Sequence, residues 1–313
     1  MTGLVLAGIN NIYTVRAPEG GAEPAVVLRC RIRGKVLLGD ERTHNPIAAG
    51  DLVELESNPH SAGEGWITGR LPRRSVLLRY NKKSRAPQAI AANVDLLVCV
   101  SSASQPPFRP RFLDRLLVSA HAGGVRPLVF VNKCDLLPDA AAEARLRDYE
   151  RIGYEVIRGS ARTGQGLADL ARAVAGRTSV FAGQSGVGKS SVLNALGPSL
   201  GLRVGDLSIK HDRGAHTTNA AVLVTLPDGS RVIDTPGIRE LDVHGLRPAD
   251  LRHYYPEFVE PARSCAFASC THTGEPDCAV EQAVEAGRIH PDRYESYVRT
   301  FADLAELERN RYG

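Results

Sequence analysis

The sequence predicts a multi-domain chain: an N-terminal OB-type β-barrel, a central α/β domain with a parallel sheet, and a mostly α C-terminal domain. Three observations predict it. Short apolar runs split by turn residues fill the first 80 positions, strands and helices alternate from Asp95 onward, and short helical segments surround a knot of Cys and His near residue 270.

The barrel rests on runs around GLVLAGI, AVVLRCRI, DLVELE, EGWITGRL and SVLLRY, punctuated by Gly20-Gly21 and Asn45-Pro46. About five such strands suit a small OB-type barrel. Arg70 to Arg85 then carry seven basic residues and no acid: Arg70, Arg73, Arg74, Arg79, Lys82, Lys83 and Arg85. This stretch reads either as a nucleic-acid contact or as a solvated linker.

In the central part, DLLVCV reads as a buried strand. RFLDRLLVSAHAG reads as an amphipathic helix with Phe112, Leu113, Leu116, Leu117 and Ala120 on one side. PLVFVNK, a helix from Ala140 to Ile152, YEVIR, LADLARAVA, SVFAG and a helix from Ser190 continue the alternation. AVLVTL and SRVIDT close it, with Pro227-Asp228-Gly229 as the turn between them. A polar helix from about Asp292 to Arg311 ends the chain. The expected domains are 1–80, 81–245 and 246–313.

Composition narrows the classes of function. Of 313 residues, 43% are hydrophobic and 24% charged, as in ordinary globular proteins. No stretch approaches the roughly 20 apolar residues of a membrane span, and MTGLVLAGIN lacks a basic leader. A cytoplasmic location with no membrane partner is therefore expected. Of 39 lysines and arginines only six are lysine. Arginine's planar fork suits phosphate, although a GC-rich genome yields the same bias.

Gly183-Gln184-Ser185-Gly186-Val187-Gly188-Lys189-Ser190, with Ser191 next, matches G-x-x-x-x-G-K-[ST] between a strand and a helix. Backbone N–H groups of such a loop wrap a triphosphate. Lys189 is expected on the β/γ-phosphates, and Ser190 on magnesium. Asn132-Lys133-Cys134-Asp135 resembles the N-K-x-D motif of the GTPase superfamily. The Asp135 carboxylate can accept from both donors on the guanine edge, which adenine lacks. Alone, the motif also fits a helix start after a strand. Ser160-Ala161 is similar to the motif whose N–H meets the guanine oxygen. Asp234-Thr235-Pro236-Gly237 resembles the second switch, with Asp234 acting through magnesium and Gly237 N–H facing the γ-phosphate.

Thr217 or Thr218 stands where the first switch belongs, and Thr218 is favoured as the second magnesium ligand. Ile238 stands where many GTPases carry a glutamine near DTPG. Intrinsic hydrolysis is therefore expected to be slow, with another group placing the water. His216 is the candidate, and an exposed loop histidine is the alternative.

Cys265, Cys270, His272 and Cys278 offer three thiolates and one imidazole, the closed set of a structural zinc. Zinc there is expected to staple a region lacking a core of its own. Cys30, Cys99 and Cys134 are scattered, which points to a reducing compartment.

The base motifs precede the phosphate loop and switches, the reverse of the conventional order. This permutation, the barrel and the Cys/His segment together resemble the ribosome small-subunit-dependent GTPase A family over nearly the whole chain. The resemblance includes ANVD, FLDRLLV, GQSGVGKSSVLNAL and HTT. It implies GTP/GDP, magnesium and one zinc as cofactors. It also implies binding to the small ribosomal subunit, through rRNA and ribosomal proteins, late in its assembly. Hydrolysis would be stimulated by the subunit and coupled to release, with Asn132 bracing the base loop and Lys133 lying along the base. A monomer is expected. The sequence departs from the family at Ala215, where a basic residue usually precedes the His. A non-enzymatic RNA-binding module or a small-molecule GTP enzyme fits the motifs less well.

Overall fold

A computed structural model describes residues 1–19, 22–34, 46–81, 86–136, 139–197, 221–235, 243 and 246–312. Five strands, β1 (Thr2–Ile9), β2 (Ile12–Glu19), β3 (Ala22–Ile32), β4 (Leu52–Ser57) and β5 (Glu64–Arg70), close a barrel in the order β1-β2-β3-β5-β4-β1. Alternate side chains point inward. Val5, Val15, Leu28, Cys30, Val53, Leu55 and Ile67 fill the interior. Each of the five strands thereby pairs with a neighbour on both sides.

The fifth barrel strand is β2, not the predicted SVLLRY. Ile9 pairs with Ile12 across a two-residue turn, and Asn10 and Asn11 both take positive φ (50° and 61°). Asparagine tolerates that conformation better than most residues. SVLLRY forms β6 (Val76–Asn81), which pairs with β7 (Ala86–Ala92) as a separate hairpin. Leu77 and Ala91 of this hairpin pack with Leu113, Leu116 and Leu117 in the core of the next unit. Residue 80, the expected domain limit, thus lies inside β6.

The parallel sheet runs β10 (Val156–Arg158), β9 (Arg126–Asn132), β8 (Leu96–Ser102), β11 (Thr178–Ala182), β13 (Arg231–Asp234). Every residue of β8 is buried, as expected for a strand covered on both faces. Helices α1 (Pro110–Ala122) and α2 (Ala140–Ile152) cover one face. Helices α3 (Leu167–Val174) and α4 (Lys189–Leu196) cover the other. β12 (Val222–Thr225) joins β13 antiparallel through the predicted 227–229 turn, where Gly229 has φ 84°. β12 also bridges to the barrel, Ala7 opposite Val222, and Arg16 donates to Thr225 Oγ1 at 3.1 Å.

The C-terminal unit holds two 3-10 turns (Pro248–Tyr254 and Pro256–Phe258), α5 (Val259–Ala262), α6 (Ala279–Glu285) and α7 (Pro291–Tyr312). Contrary to the sequence expectation, it has a core of its own. Leu251, Tyr255, Phe258, Val280, Ile289 and Tyr297 are buried there beside Cys270 and Cys278. The rings of Phe258 and Tyr297 stand 4.8 Å apart and tilted edge-on, a favourable aromatic geometry.

Candidate active site and metal centre

Four motifs scattered along the chain leave the sheet at one edge. Asn132 ends β9, Ser160-Ala161 follow β10, the 183–190 loop follows β11, and Asp234 ends β13. These strands are mutually parallel, so all four motifs gather beyond their carboxyl ends, where open α/β sheets bind ligands.

The phosphate loop needs its glycines for space as well as conformation. A Cβ on Gly183 would stand 2.1 Å from the Val100 carbonyl. One on Gly188, at φ 92°, would stand 2.4 Å from Asn132 Nδ2. Lys189 is 5% exposed. Its Nζ donates to the carbonyls of Gly183 at 2.5 Å and Gln184 at 2.9 Å, which holds the cation across the loop. Ser190, buried, sits in the first turn of α4 beside Ser191.

The base motif is tied to this loop by direct contact. Asn132, 2% exposed, donates from Nδ2 to the Val187 carbonyl at 2.8 Å and accepts from Ala161 N–H at 2.9 Å. One amide thus joins the phosphate loop, the N-K-x-D turn and the Ser-Ala turn. Lys133 adopts φ 65°, and its Nζ donates to Gly186 O and Gln105 O, both at 2.7 Å. Asp135 accepts from Ser160 Oγ and pairs with Arg162 at 2.6 Å. The Ser160 hydrogen bond, more than any other influence, holds its carboxyl below the usual range. It is therefore ionised at neutral pH, as an acceptor for two donors must be.

Sequence reasoning missed Gln105 and Arg162. Arg162 follows the Ser-Ala pair directly, so its charge was a usable signal. Gln105 acts through a main-chain carbonyl, for which no side-chain signal exists. Asp234 and Thr235 are buried at the end of β13, and Thr235 Oγ1 has no hydrogen-bond partner among the described residues. His216, Thr217, Thr218, Pro236, Gly237 and Ile238 lie outside the described residues.

The basic run after Arg70 is partly structural. Arg73 is nearly buried and forks onto Asp51, from Nε at 2.8 Å and Nη2 at 2.8 Å. Arg79 donates to Gln88. Lys82, Lys83 and Arg85 fall outside the described residues.

The ligand atoms of Cys265, Cys270, His272 and Cys278 all lie within 4.8 Å of one another, which fits a tetrahedral zinc. Nδ1 of His272 faces the thiols, 3.4 Å from Cys278 Sγ and 3.6 Å from Cys265 Sγ, so Nδ1 is the nitrogen that would ligate a metal held there. Burial pushes the Cys270 thiol up to about 12 and raises that of Cys278. Burial first, then Arg252, lowers the His272 imidazole. Around the knot, Glu275 accepts from Thr271 N–H at 2.6 Å and Thr273 N–H at 2.8 Å, and Tyr294 donates to the His272 carbonyl at 3.1 Å. Such outer contacts orient ligands.

The sequence profile of the RsgA GTPase family matches residues 70–244, the span that holds every nucleotide motif. The chain belongs to the RsgA GTPase family. Small ribosomal subunit biogenesis GTPase RsgA of Chlorobaculum parvum is 39% identical, with 98% of this chain and 99% of that protein covered. Its namesake from Moorella thermoacetica is 40% identical over 99% of each. The crystal structure of YjeQ from Thermotoga maritima superposes with a TM-score of 0.75 at 34% identity, covering 97% of this chain and 98% of that one. YloQ, described as a circularly permuted GTPase, gives 0.70 at 32%, covering 97% and 95%. As an RsgA-family member the chain is a GTP hydrolase with a circularly permuted GTPase fold, an OB-like barrel before it and a Cys3His unit after it.

Proposed function

We propose that this GTPase binds the small ribosomal subunit in the cytoplasm, as a monomer, and assists its late assembly. The subunit stimulates hydrolysis, and hydrolysis releases the protein. The observation that carries the reading is the Asn132 amide joined to both Val187 and Ala161, which makes one pocket of the base and phosphate motifs. The name shared by the RsgA relatives supplies the subunit.

In this reading Asp135 selects guanine, and Ser160 and Ala161 close the base pocket with Asn132 and Lys133. Gly183 to Ser191 cradle the phosphates with Lys189 as their cation. Ser190 and Thr218 hold magnesium, while Asp234 acts through that ion and Gly237 N–H meets the γ-phosphate. His216 places the water that Ile238 cannot. Zinc on Cys265, Cys270, His272 and Cys278 fixes the C-terminal unit. The outer barrel face supports an RNA partner: Trp66 is 39% exposed, Arg31 stands opposite it on β3, and Arg29 is two residues away. An exposed ring and guanidinium forks suit bases and phosphates. GTP turnover with and without purified small subunits tests the proposal, together with subunit affinity in the GTP and GDP states. Stimulated turnover and tighter GTP-state binding are expected; equal affinity of the two states would sink the release step.

A further inference from the structure

The loop after β8 closes the nucleotide pocket on a side that no sequence motif marks. Ser102, the last residue of β8, is fully buried. Its hydroxyl donates to the Gln105 carbonyl at 3.0 Å and accepts from Gln105 N–H at 3.2 Å and Ser104 N–H at 3.4 Å. Residues 102–105 are thereby folded back on themselves. The same Gln105 carbonyl receives a second hydrogen bond, from Lys133 Nζ at 2.7 Å.

The next residues press on the phosphate loop. Gln184 Nε2 donates to the Pro107 carbonyl at 3.1 Å. A Cβ built on Gly186 would meet the Pro106 ring at 3.8 Å, so the ring stands about one methyl group beyond this glycine of the loop. Lys133 Nζ is thus shared between two carbonyls, Gly186 O from the phosphate loop and Gln105 O from the 102–107 loop.

We propose that Ser102 is a positioning residue for guanine-nucleotide binding, acting through the Gln105 carbonyl to fix Lys133. The inference rests on the pocket reading above and adds to it a residue outside every GTPase motif. A lysine carries about 2 kcal/mol of rotamer entropy. A chain already held at two carbonyls has surrendered that freedom before ligand arrives. With the Ser102 hydroxyl gone, the turn loses the bond that aims Gln105 O, and the ammonium loses one of its two anchors. Because Lys133 belongs to the base motif, the effect falls equally on GTP and GDP.

The test measures GTP and GDP affinities, and the KM and kcat of GTP hydrolysis, for wild type, Ser102→Ala, Ser102→Thr and Ser102→Cys. Loss of one buried hydrogen bond predicts affinity about fivefold weaker for both nucleotides in Ser102→Ala. KM should rise by a similar factor and kcat should change less. The threonine variant, which keeps the hydroxyl, should recover binding, and the cysteine variant should fall between. On a Lys133→Met background, Ser102→Ala should add nothing, because the two act as one unit. Wild-type affinity in Ser102→Ala would overturn the proposal, as would a loss confined to GTP or full additivity with Lys133→Met. If the alanine variant does not fold, the cysteine variant decides by the same measurements. A wild-type protein that bound no guanine nucleotide would sink the pocket reading itself, a different result from a wild type that binds alongside indifferent Ser102 variants.

Discussion

Asp114 of α1 and Arg293 of α7 form an ion pair at 2.5 Å with neither side chain exposed. The guanidinium also meets Glu257 at 2.6 Å and stacks 4.3 Å from the centre of the Tyr255 ring. Tyr149 of α2 donates to the same Asp114 at 2.5 Å. Burial alone would lower the Arg293 pKa, but Asp114 and Glu257 raise it well above its usual value. The permuted GTPase unit and the C-terminal unit are therefore joined by a dry, charged contact. Such contacts tolerate little change in geometry.

Arg293→Met should destabilise the protein by about 3–5 kcal/mol, because Glu257 would stay buried without its cation and Asp114 would keep only the longer pair with Arg145, at 3.7 Å. Adding Asp114→Asn to that variant should recover part of the loss. Urea unfolding of the two single variants and the double variant measures the coupling. Losses that simply add would mean that the two side chains do not share a pair energy.

Asp135→Asn should switch the base preference. The amide can still accept one hydrogen bond but now offers N–H groups to a base carrying oxygen in place of the exocyclic amine. GTP affinity should fall by about a hundredfold, the worth of a charge-assisted bond, and xanthosine triphosphate should bind better than GTP. Competition binding with the two nucleotides decides it, and retained GTP preference would remove Asp135 from the base pocket.

The parallel α/β unit was legible because its signals are local. The helix over Ala140–Ile152 and the 227–229 turn lie where periodicity and turn residues put them. The barrel was harder. IYTVRAPE carries Pro18 and charged residues, and its alternation is weak, so β2 went unread, and the Asn10-Asn11 turn that pairs it with β1 is visible only in the structure. SVLLRY has the pattern of a barrel strand, yet Leu77 is claimed by α1, a tertiary choice that composition does not encode. Arg73 read as a free cation because Asp51, its partner, stands 22 residues away. The Ser102 turn was invisible since its working atom is a backbone carbonyl.

Zinc affinity should rise steeply with pH. The thiols of Cys270 and Cys278 are raised by burial, so below those values each must give up its proton to bind metal. At least two protons released make affinity rise about a hundredfold per pH unit. The imidazole adds little competition near neutrality, because burial keeps the His272 pKa below its usual 6.5. Competition against a chelator at pH 6.5 and 7.5 gives the slope, and a slope below tenfold would mean that the thiols are already ionised.

Asn132→Asp should harm nucleotide binding more than Asn132→Ala. The alanine variant leaves the Val187 carbonyl and the Ala161 N–H without their partner, a loss of about tenfold in affinity. The aspartate variant keeps the acceptor for Ala161 N–H but sets a carboxylate 2.8 Å from the Val187 carbonyl, where two acceptors repel. It also adds negative charge beside the loop expected to hold three phosphates, and in a buried position that charge is poorly screened. Calorimetric titration with GDP ranks the three proteins. Binding by the aspartate variant as tight as wild type would show that the amide hydrogens of Asn132 do not brace the pocket.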